Sequence, residues 1–159
     1  MVSIQKLPIM GSYTLIVFLS KEICLNVGKL GVQKFPRGCY TYTGSALGRG
    51  ASTLCNRVSR HLKKEKPKRW HIDFLLTNEN TVVTTVVAVQ TCKKAECEIN
   101  RLIKANTEAK VICRGFGASD CKEKCESHLL YFGEEDVKQK IAMLYAENFG
   151  SRCVLVDLG

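Results

Sequence analysis

Runs of β-branched and aromatic residues in the first half of the chain predict β-strands. Two such runs, residues 13–19 and 23–27, flank a short polar stretch, so we predict that they pair as a hairpin. Residues 28–38 contain glycine and proline, and we predict a loop there that leads into a strand at 39–43. A nearly continuous β-branched run at residues 81–89 predicts a strand that is buried on both faces.

Apolar residues at helical spacing predict three helices. The first begins at about Ala51, and the others cover residues 94–104 and 134–147. The buried stripe of the first helix consists of Leu54, Val58 and Leu62. Further short strands are predicted at residues 111–113, 128–132 and 153–156. Because no linker or repeat interrupts the pattern, we predict one α/β (α+β) domain over residues 1–159, with a mixed, mostly antiparallel central sheet flanked by helices.

Positive charge is concentrated in one part of the chain. The formal net charge is +9, which would attract a polyanion at modest salt. Seven basic residues lie between positions 57 and 69. We predict that six of them form a nucleic-acid-binding face: Arg60, Lys63, Lys64, Lys66, Lys68 and Arg69. The alternative is a solvated surface stretch with no partner.

Cysteine usage favours a reducing compartment. The chain has nine cysteines, but residues 1–10 lack the apolar core and cleavage site of a secretory signal. Most of the cysteines lie in apolar or amphipathic segments, where a free thiol packs as a small apolar side chain. We therefore predict a cytoplasmic protein with no membrane span, since no apolar run approaches about 20 residues.

A tyrosine-bearing strand followed by a basic helix suggests phosphodiester chemistry. Tyr42 lies just before a Gly-Ser turn, and Arg57 and His61 lie one helical turn apart. A phenol could bind or deprotonate water, a guanidinium could hold phosphate oxygens, and an imidazole could move a proton. We therefore predict that Tyr13, Tyr42, Arg57 and His61 form a catalytic group.

These motifs carry a resemblance to a known superfamily. The tripeptides Gly11-Ser12-Tyr13 and Tyr42-Thr43-Gly44, followed by the R-x-x-R-H run that ends at His61, resemble those of GIY-YIG nucleases. The wider pattern, with V-G-K-L-G, R-W-H-I-D, E-C-E and F-G-A-S-D-C, resembles an archaeal branch of poorly defined function that is sometimes fused to an endonuclease III-type DNA-repair glycosylase. The resemblance spans roughly residues 11–132.

The resemblance implies a metal-dependent endonuclease-like protein that acts on DNA or on structured nucleic acid, with DNA preferred over RNA. It also implies a role in DNA repair, with a DNA-repair glycosylase as a candidate partner. It also implies Mg²⁺, or Mn²⁺, held by one glutamate on a later helix. We assign that role to Glu98, with Glu96 as the second choice. An insertion separates the two tripeptides, so Tyr40 is an alternative to Tyr42, although we expect Tyr40 to pack in the core.

Two further clusters have both structural and functional interpretations. In Arg69-Trp70-His71-Ile72-Asp73, we predict a core position for Trp70, and either a phosphate contact or a hydrogen bond to Asp73 for His71. Three soft ligands, Cys121, Cys125 and His128, have zinc-like spacing, and Cys113 or Asp120 is a candidate for the fourth. We favour a packed loop with free thiols over a structural Zn²⁺ site, and the same loop could instead border the Arg57 pocket.

Three functions therefore follow from the sequence. The first is the endonuclease, and the second is a nucleic-acid-binding module that has the same pocket but does not cleave. The third is an interaction protein stabilised by zinc. The oligomeric state does not follow from the sequence.

Overall fold

In a computed structural model, which describes residues 2–119 and 121–159, the chain folds around a central strand with partners along both edges. The strands are β1 (Gly11–Leu19), β2 (Ile23–Asn26), β3 (Val32–Phe35), β4 (Gly38–Ala46), β5 (Thr81–Gln90), β6 (Leu129–Tyr131) and β7 (Cys153–Asp157). The α-helices are α1 (Leu54–Leu62), α2 (His71–Leu76), α3 (Glu96–Asn106) and α4 (Lys138–Phe149).

The main sheet has five strands in the order β6-β4-β1-β5-β7, and every neighbouring pair is antiparallel. A separate sheet contains β2 and β3. This architecture confirms the predicted α+β class. It also confirms that β5 is an inner strand, because β1 and β7 pair with its two edges.

The predicted hairpin between residues 13–19 and 23–27 is wrong. Both edges of β1 are already paired along their whole length, one with β4 and the other with β5. The shorter β2 pairs instead with β3, which lies within the predicted loop 28–38. The insertion between the two tyrosine motifs therefore forms a small β-hairpin that is a separate two-stranded sheet.

Other predicted elements differ mainly at their boundaries. The first helix begins at Leu54 rather than Ala51, because a short 3-10 turn precedes it and the Thr53 side chain accepts the Asn56 backbone N–H at 3.3 Å. The predicted strand at 111–113 is absent, and α2 was not predicted. A helix of six residues offers too short a periodic pattern to stand out from a loop.

Helices cover both faces of the sheet. Tyr13, Leu15 and Val17 on β1 project to one face, in a core shared with α1 and α2. Ile16 projects to the other face, in a core that includes Ile103 of α3 and residues of α4. This alternation follows from the period of two along a strand. Among the described residues, no helix is both long and apolar enough to cross a membrane.

The segment between α1 and α2 is organised by a buried carboxylate. Asp73 is fully buried and accepts two hydrogen bonds from the Arg60 guanidinium, at 2.8 and 2.9 Å. Its Oδ2 also accepts the backbone N–H groups of Arg69 and Trp70. Burial alone would raise the pKa of Asp73, but these hydrogen bonds hold it below its ordinary value. Asp73 therefore fixes the start of α2 against the end of α1.

Two lysines of the predicted nucleic-acid-binding face have hydrogen-bond partners within the protein. The side chain of Lys66 is only 3% exposed, and its Nζ donates to the carbonyl oxygens of Arg60 and His61 in the last turn of α1. Lys64 Nζ donates to three backbone carbonyls at the junction of α2 and β5. Arg60 is likewise paired with Asp73, whereas Lys63, Lys68 and Arg69 are exposed, as is the stem of Lys64.

We expect Asp73→Asn to lower the free energy of unfolding by about 3 kcal/mol, because it leaves the Arg60 guanidinium without its buried counter-charge. Urea unfolding followed by circular dichroism would measure the change. Glu134→Gln, which removes the acidic partner of the exposed Arg37, is the matched control and should have little effect. Equal effects of the two substitutions would contradict the structural role of Asp73.

Candidate functional site

A cavity of about 470 Å³ opens where the end of β4 meets the start of β1. It is bordered by α1, by the first turn of α3 and by the segment 117–128. All four residues of the predicted catalytic group border it: Tyr13, Tyr42, Arg57 and His61. Tyr40 does not; its ring packs against Phe35 in the core, and its hydroxyl donates to the Pro36 carbonyl.

The strand register brings the two tyrosines to the same face. Tyr13 lies opposite Gly44 and Leu15 lies opposite Tyr42, so the tyrosines are diagonal neighbours. The Tyr13 ring passes directly over Gly44, where a Cβ would lie 2.7 Å from the phenol oxygen. A residue with a side chain at position 44 would therefore displace Tyr13. This close approach gives the glycine of the second tripeptide a steric function.

The Tyr13 hydroxyl lies 2.7 Å from His61 Nε2, and both side chains are buried. Burial and the nearby Tyr42 raise the pKa of Tyr13, whereas Arg57 lowers it, and the net change is upward. Burial, with a further contribution from Lys66, lowers the pKa of His61 to about 3. His61 is therefore neutral at physiological pH. Its Nδ1 is buried without a hydrogen-bond partner.

The Arg57 guanidinium is held from two sides. Its Nη1 donates to the Ser45 carbonyl at 3.1 Å, and its Cζ lies 4.7 Å from the centre of the Trp70 ring. The Arg60 guanidinium lies 4.4 Å from the same ring. The predicted core position of Trp70 is wrong: this residue is 38% exposed and borders the cavity. Its indole is amphipathic, and two cations cover it in place of apolar side chains.

Two carboxylates border the cavity: Glu123, which is paired with Arg101, and Glu96, the second choice from the sequence. Glu96 Oε2 accepts a hydrogen bond from the Ser45 hydroxyl, and that hydroxyl is also 2.6 Å from Ser12 Oγ. Glu98 is exposed and does not border the cavity. The two glutamates are separated by about 200° around the helix axis, so they cannot face the same site.

Two basic residues at the cavity were not predicted. Lys94, just before α3, and Lys122, in the loop that follows it, both border the cavity and are exposed. Neither lies in the basic segment 57–69, whose high density of positive charge was the basis for the predicted nucleic-acid-binding face. The Lys93-Lys94 pair next to a predicted helix was the only sequence signal for this side of the cavity.

His71 does not border the cavity. Its Nδ1 accepts the backbone N–H of Gly117 at 2.9 Å, and its ring packs against Phe116. It does not pair with Asp73, which binds Arg60. His71 therefore supports the segment that forms one wall of the cavity. In that wall Gly117 has a φ of +69°, and a Cβ there would lie 2.9 Å from the Tyr42 ring.

A sulfur-rich cluster lies in the same wall. Its four members are Cys97, Cys121, Cys125 and His128, whose Sγ and ring nitrogen atoms all lie within 4.8 Å of one another. The fourth member is Cys97, in the first turn of α3, and not Cys113 or Asp120, the two candidates that the sequence suggests. Cys113 is buried in the core of the α1 face, and Asp120 lies outside the described residues.

Comparison with known proteins identifies the family but not an activity. Searches of curated proteins and of solved structures return no match. The family model described as a domain of unknown function, DUF123, matches residues 12–150. This match covers the two tyrosine motifs except Gly11, the basic helix, the cavity glutamate and the sulfur-rich cluster. The chain therefore belongs to the DUF123 family.

Proposed function

We propose that this chain is a metal-dependent, endonuclease-like hydrolase of phosphodiester bonds in DNA or structured nucleic acid, built on a GIY-YIG fold. The observation that carries the proposal is the convergence of Tyr13, Tyr42, Arg57, His61 and Glu96 on one cavity. These residues come from four separate elements of the fold. The resemblance of the two tyrosine tripeptides to those of GIY-YIG nucleases supports the proposal, since the tripeptides lie on adjacent antiparallel strands.

Binding of the scissile phosphate falls to Arg57. A guanidinium has five N–H donors, so the contact with Ser45 leaves others for the non-bridging oxygens. The carbonyl and the Trp70 ring fix its orientation before substrate binds, and a preorganised charge stabilises the transition state without reorganisation. Lys94 and Lys122 add positive charge at the cavity for the flanking phosphates.

Activation of water falls to Tyr13 and its histidine partner. A neutral His61 accepts the Tyr13 O–H through Nε2, which leaves lone pairs of the phenol oxygen for a water in the cavity. As the water oxygen bonds to phosphorus and the bond from phosphorus to the leaving oxygen breaks, the water proton moves to Tyr13 and the tyrosine proton moves to His61. The leaving oxygen takes its proton from solvent. The anionic phosphate offsets the charge that develops on the imidazole. Tyr42, at the same cavity, orients the water or the leaving oxygen.

Glu96 is the residue that would hold Mg²⁺ or Mn²⁺. Its carboxylate lies beside the hydroxyl of Ser45, and hard oxygen donors of this kind suit both ions. One carboxylate with waters is sufficient for Mg²⁺ when substrate phosphate provides further oxygens. When bound, the ion would stabilise negative charge on the phosphate and the leaving oxygen.

The decisive experiment is a cleavage assay on single-stranded, duplex, abasic, flapped and branched DNA and on RNA, with Mg²⁺, with Mn²⁺ and with a chelator. We expect metal-dependent cleavage of at least one substrate. Arg57→Ala should reduce it by at least about 100-fold, because the phosphate loses its preorganised charge. Cleavage of the abasic substrate would support a role in DNA repair beside a glycosylase.

Arg152→Ala is the control for the change in net charge, because Arg152 is exposed and does not border the cavity. It should cleave as the wild type does. Circular dichroism would establish that both variants are folded. Binding without cleavage under every condition would refute the hydrolase and favour the non-catalytic nucleic-acid-binding module.

Two glutamates on the same helical turn provide a matched pair. Glu96→Gln should reduce cleavage by at least about 100-fold, because it removes the only acidic group that we place at the metal. Glu98→Gln should cleave at the wild-type rate, since Glu98 points away from the cavity. Initial rates over a range of Mg²⁺ concentrations would measure both. The reverse result would restore Glu98 as the ligand and refute our placement of the ion.

The neutral state of His61 has a consequence for stability. The pKa of His61 is about 3 in the folded protein and near 6.5 in the unfolded chain, so only the unfolded chain takes up the proton between these values. Stability is then complete above pH 6.5 and falls as the pH decreases. We expect this residue to contribute a loss of about 2 to 3 kcal/mol between pH 7 and pH 4.5.

Urea unfolding of the wild type and of His61→Gln at the two pH values would measure this contribution. The glutamine does not titrate, so the variant should lose less stability than the wild type on acidification. The other two histidines are present in both proteins and cancel in the comparison. Equal losses would show that His61 is not held neutral, and the proposed proton path would fail.

A further inference from the structure

The sulfur-rich cluster has the donor set and the spacing of a metal centre. Cys97 Sγ lies 3.5 Å from Cys121 Sγ and 3.7 Å from His128 Nε2, and all four donor atoms lie within 4.8 Å of one another. Three thiols and one imidazole form a ligand set typical of structural zinc. We propose that Cys97, Cys121, Cys125 and His128 bind one Zn²⁺ ion.

The two donor distances from Cys97 Sγ fit a tetrahedral site. Zn–S bonds of about 2.3 Å and Zn–N bonds of about 2.0 Å place ligand atoms roughly 3.5 to 3.8 Å apart at tetrahedral angles. A disulfide would need two sulfur atoms about 2.05 Å apart, well below the 3.5 Å between Cys97 and Cys121. The ring nitrogen of His128 provides the fourth donor atom beside the three sulfur atoms.

This site differs from the one at Glu96 in both chemistry and role. Four protein ligands complete a tetrahedron and leave no open position for water or substrate, so the zinc is structural. Soft sulfur donors select Zn²⁺, whereas the carboxylate and hydroxyl oxygens at Glu96 suit Mg²⁺. The zinc site therefore does not depend on the proposed hydrolytic activity, and it can be tested without a nucleic-acid substrate.

The ion would join a loop to a helix. Cys97 belongs to α3, whereas the other three ligands lie in a loop that has neither helix nor strand among its described residues, 113–119 and 121–128. Lys124, between two of these ligands, has a left-handed φ of 56°, which is costly for a residue with a side chain. Metal coordination would stabilise that conformation and hold the cavity wall against α3.

The test is the metal content of the full chain, purified under reducing conditions without added chelator. Elemental analysis by mass spectrometry should find about one zinc ion per chain. After zinc removal, Co²⁺ should bind with the intense visible bands of a tetrahedral ion and with thiolate-to-metal charge transfer. Loss of a residue that hydrogen-bonds to a metal ligand lowers metal affinity by up to roughly 100-fold. Cys121→Ser and Cys125→Ser remove ligands themselves, so each should weaken Co²⁺ binding by more than that.

Cys92→Ser is the matched control, because Cys92 is exposed and lies outside the cluster. It should bind Co²⁺ as the wild type does. Alkylation of the wild type provides a measurement that does not depend on the folding of variants: chelator should make Cys97, Cys121 and Cys125 reactive, as peptide mass analysis would show. A wild-type chain without zinc or a tetrahedral Co²⁺ spectrum would overturn the proposal, as would a disulfide among these three cysteines.

Discussion

The register between β1 and β4 is the constraint on which the cavity depends. It places the Tyr13 ring over Gly44, the one residue type that leaves room for it, and it brings Tyr42 to the same face. A shift of one residue would turn Tyr13 toward α3 and α4, because successive side chains alternate between faces. The sheet thus determines which side chains can meet, and the helices supply their partners.

Desolvated charge is the second organising feature. A count of basic residues suggests a surface prepared for a polyanion, but the structure uses much of that charge internally. Arg60 neutralises a fully buried carboxylate, and Lys66 satisfies carbonyl oxygens at the end of α1. These charges make the junction of α1 and α2 rigid, and α1 is the helix that positions Arg57 and His61. Net charge alone is therefore a poor guide to where a ligand would bind.

Local patterns predicted much of the fold and part of the site. β4, β5 and α1 were recognisable because periodicity and turn residues agree over their lengths, and Arg57 and His61 follow from helical spacing. Strand pairing was not recognisable, because adjacency in sequence favours a hairpin with β2, whereas β1 gains more hydrogen bonds from longer and more distant strands. The sequence also did not predict the buried hydrogen-bond partners of the basic residues, because these partners belong to segments that meet only after folding.

Two placements at the site that differ between sequence and structure have a common origin. To choose between Glu96 and Glu98, one must know how α3 is rotated about its own axis. The apolar pattern of this partly polar helix does not determine that rotation. The same orientation brings Cys97 to a loop more than twenty residues further along the chain. Spacing within that loop suggested three zinc ligands, but Cys97, the fourth member of the cluster, lies in another element and could be identified only in three dimensions.

The stack of Arg57, Trp70 and Arg60 has a consequence for spectroscopy. Trp70 is the only tryptophan in the chain, and its indole forms part of the cavity wall in contact with two guanidinium groups. Its excited state responds to the electric field of its surroundings, which an anion beside Arg57 would change. The tryptophan fluorescence of the unlabelled protein thus comes from one position and reports on the occupancy of the cavity, whatever chemistry takes place there.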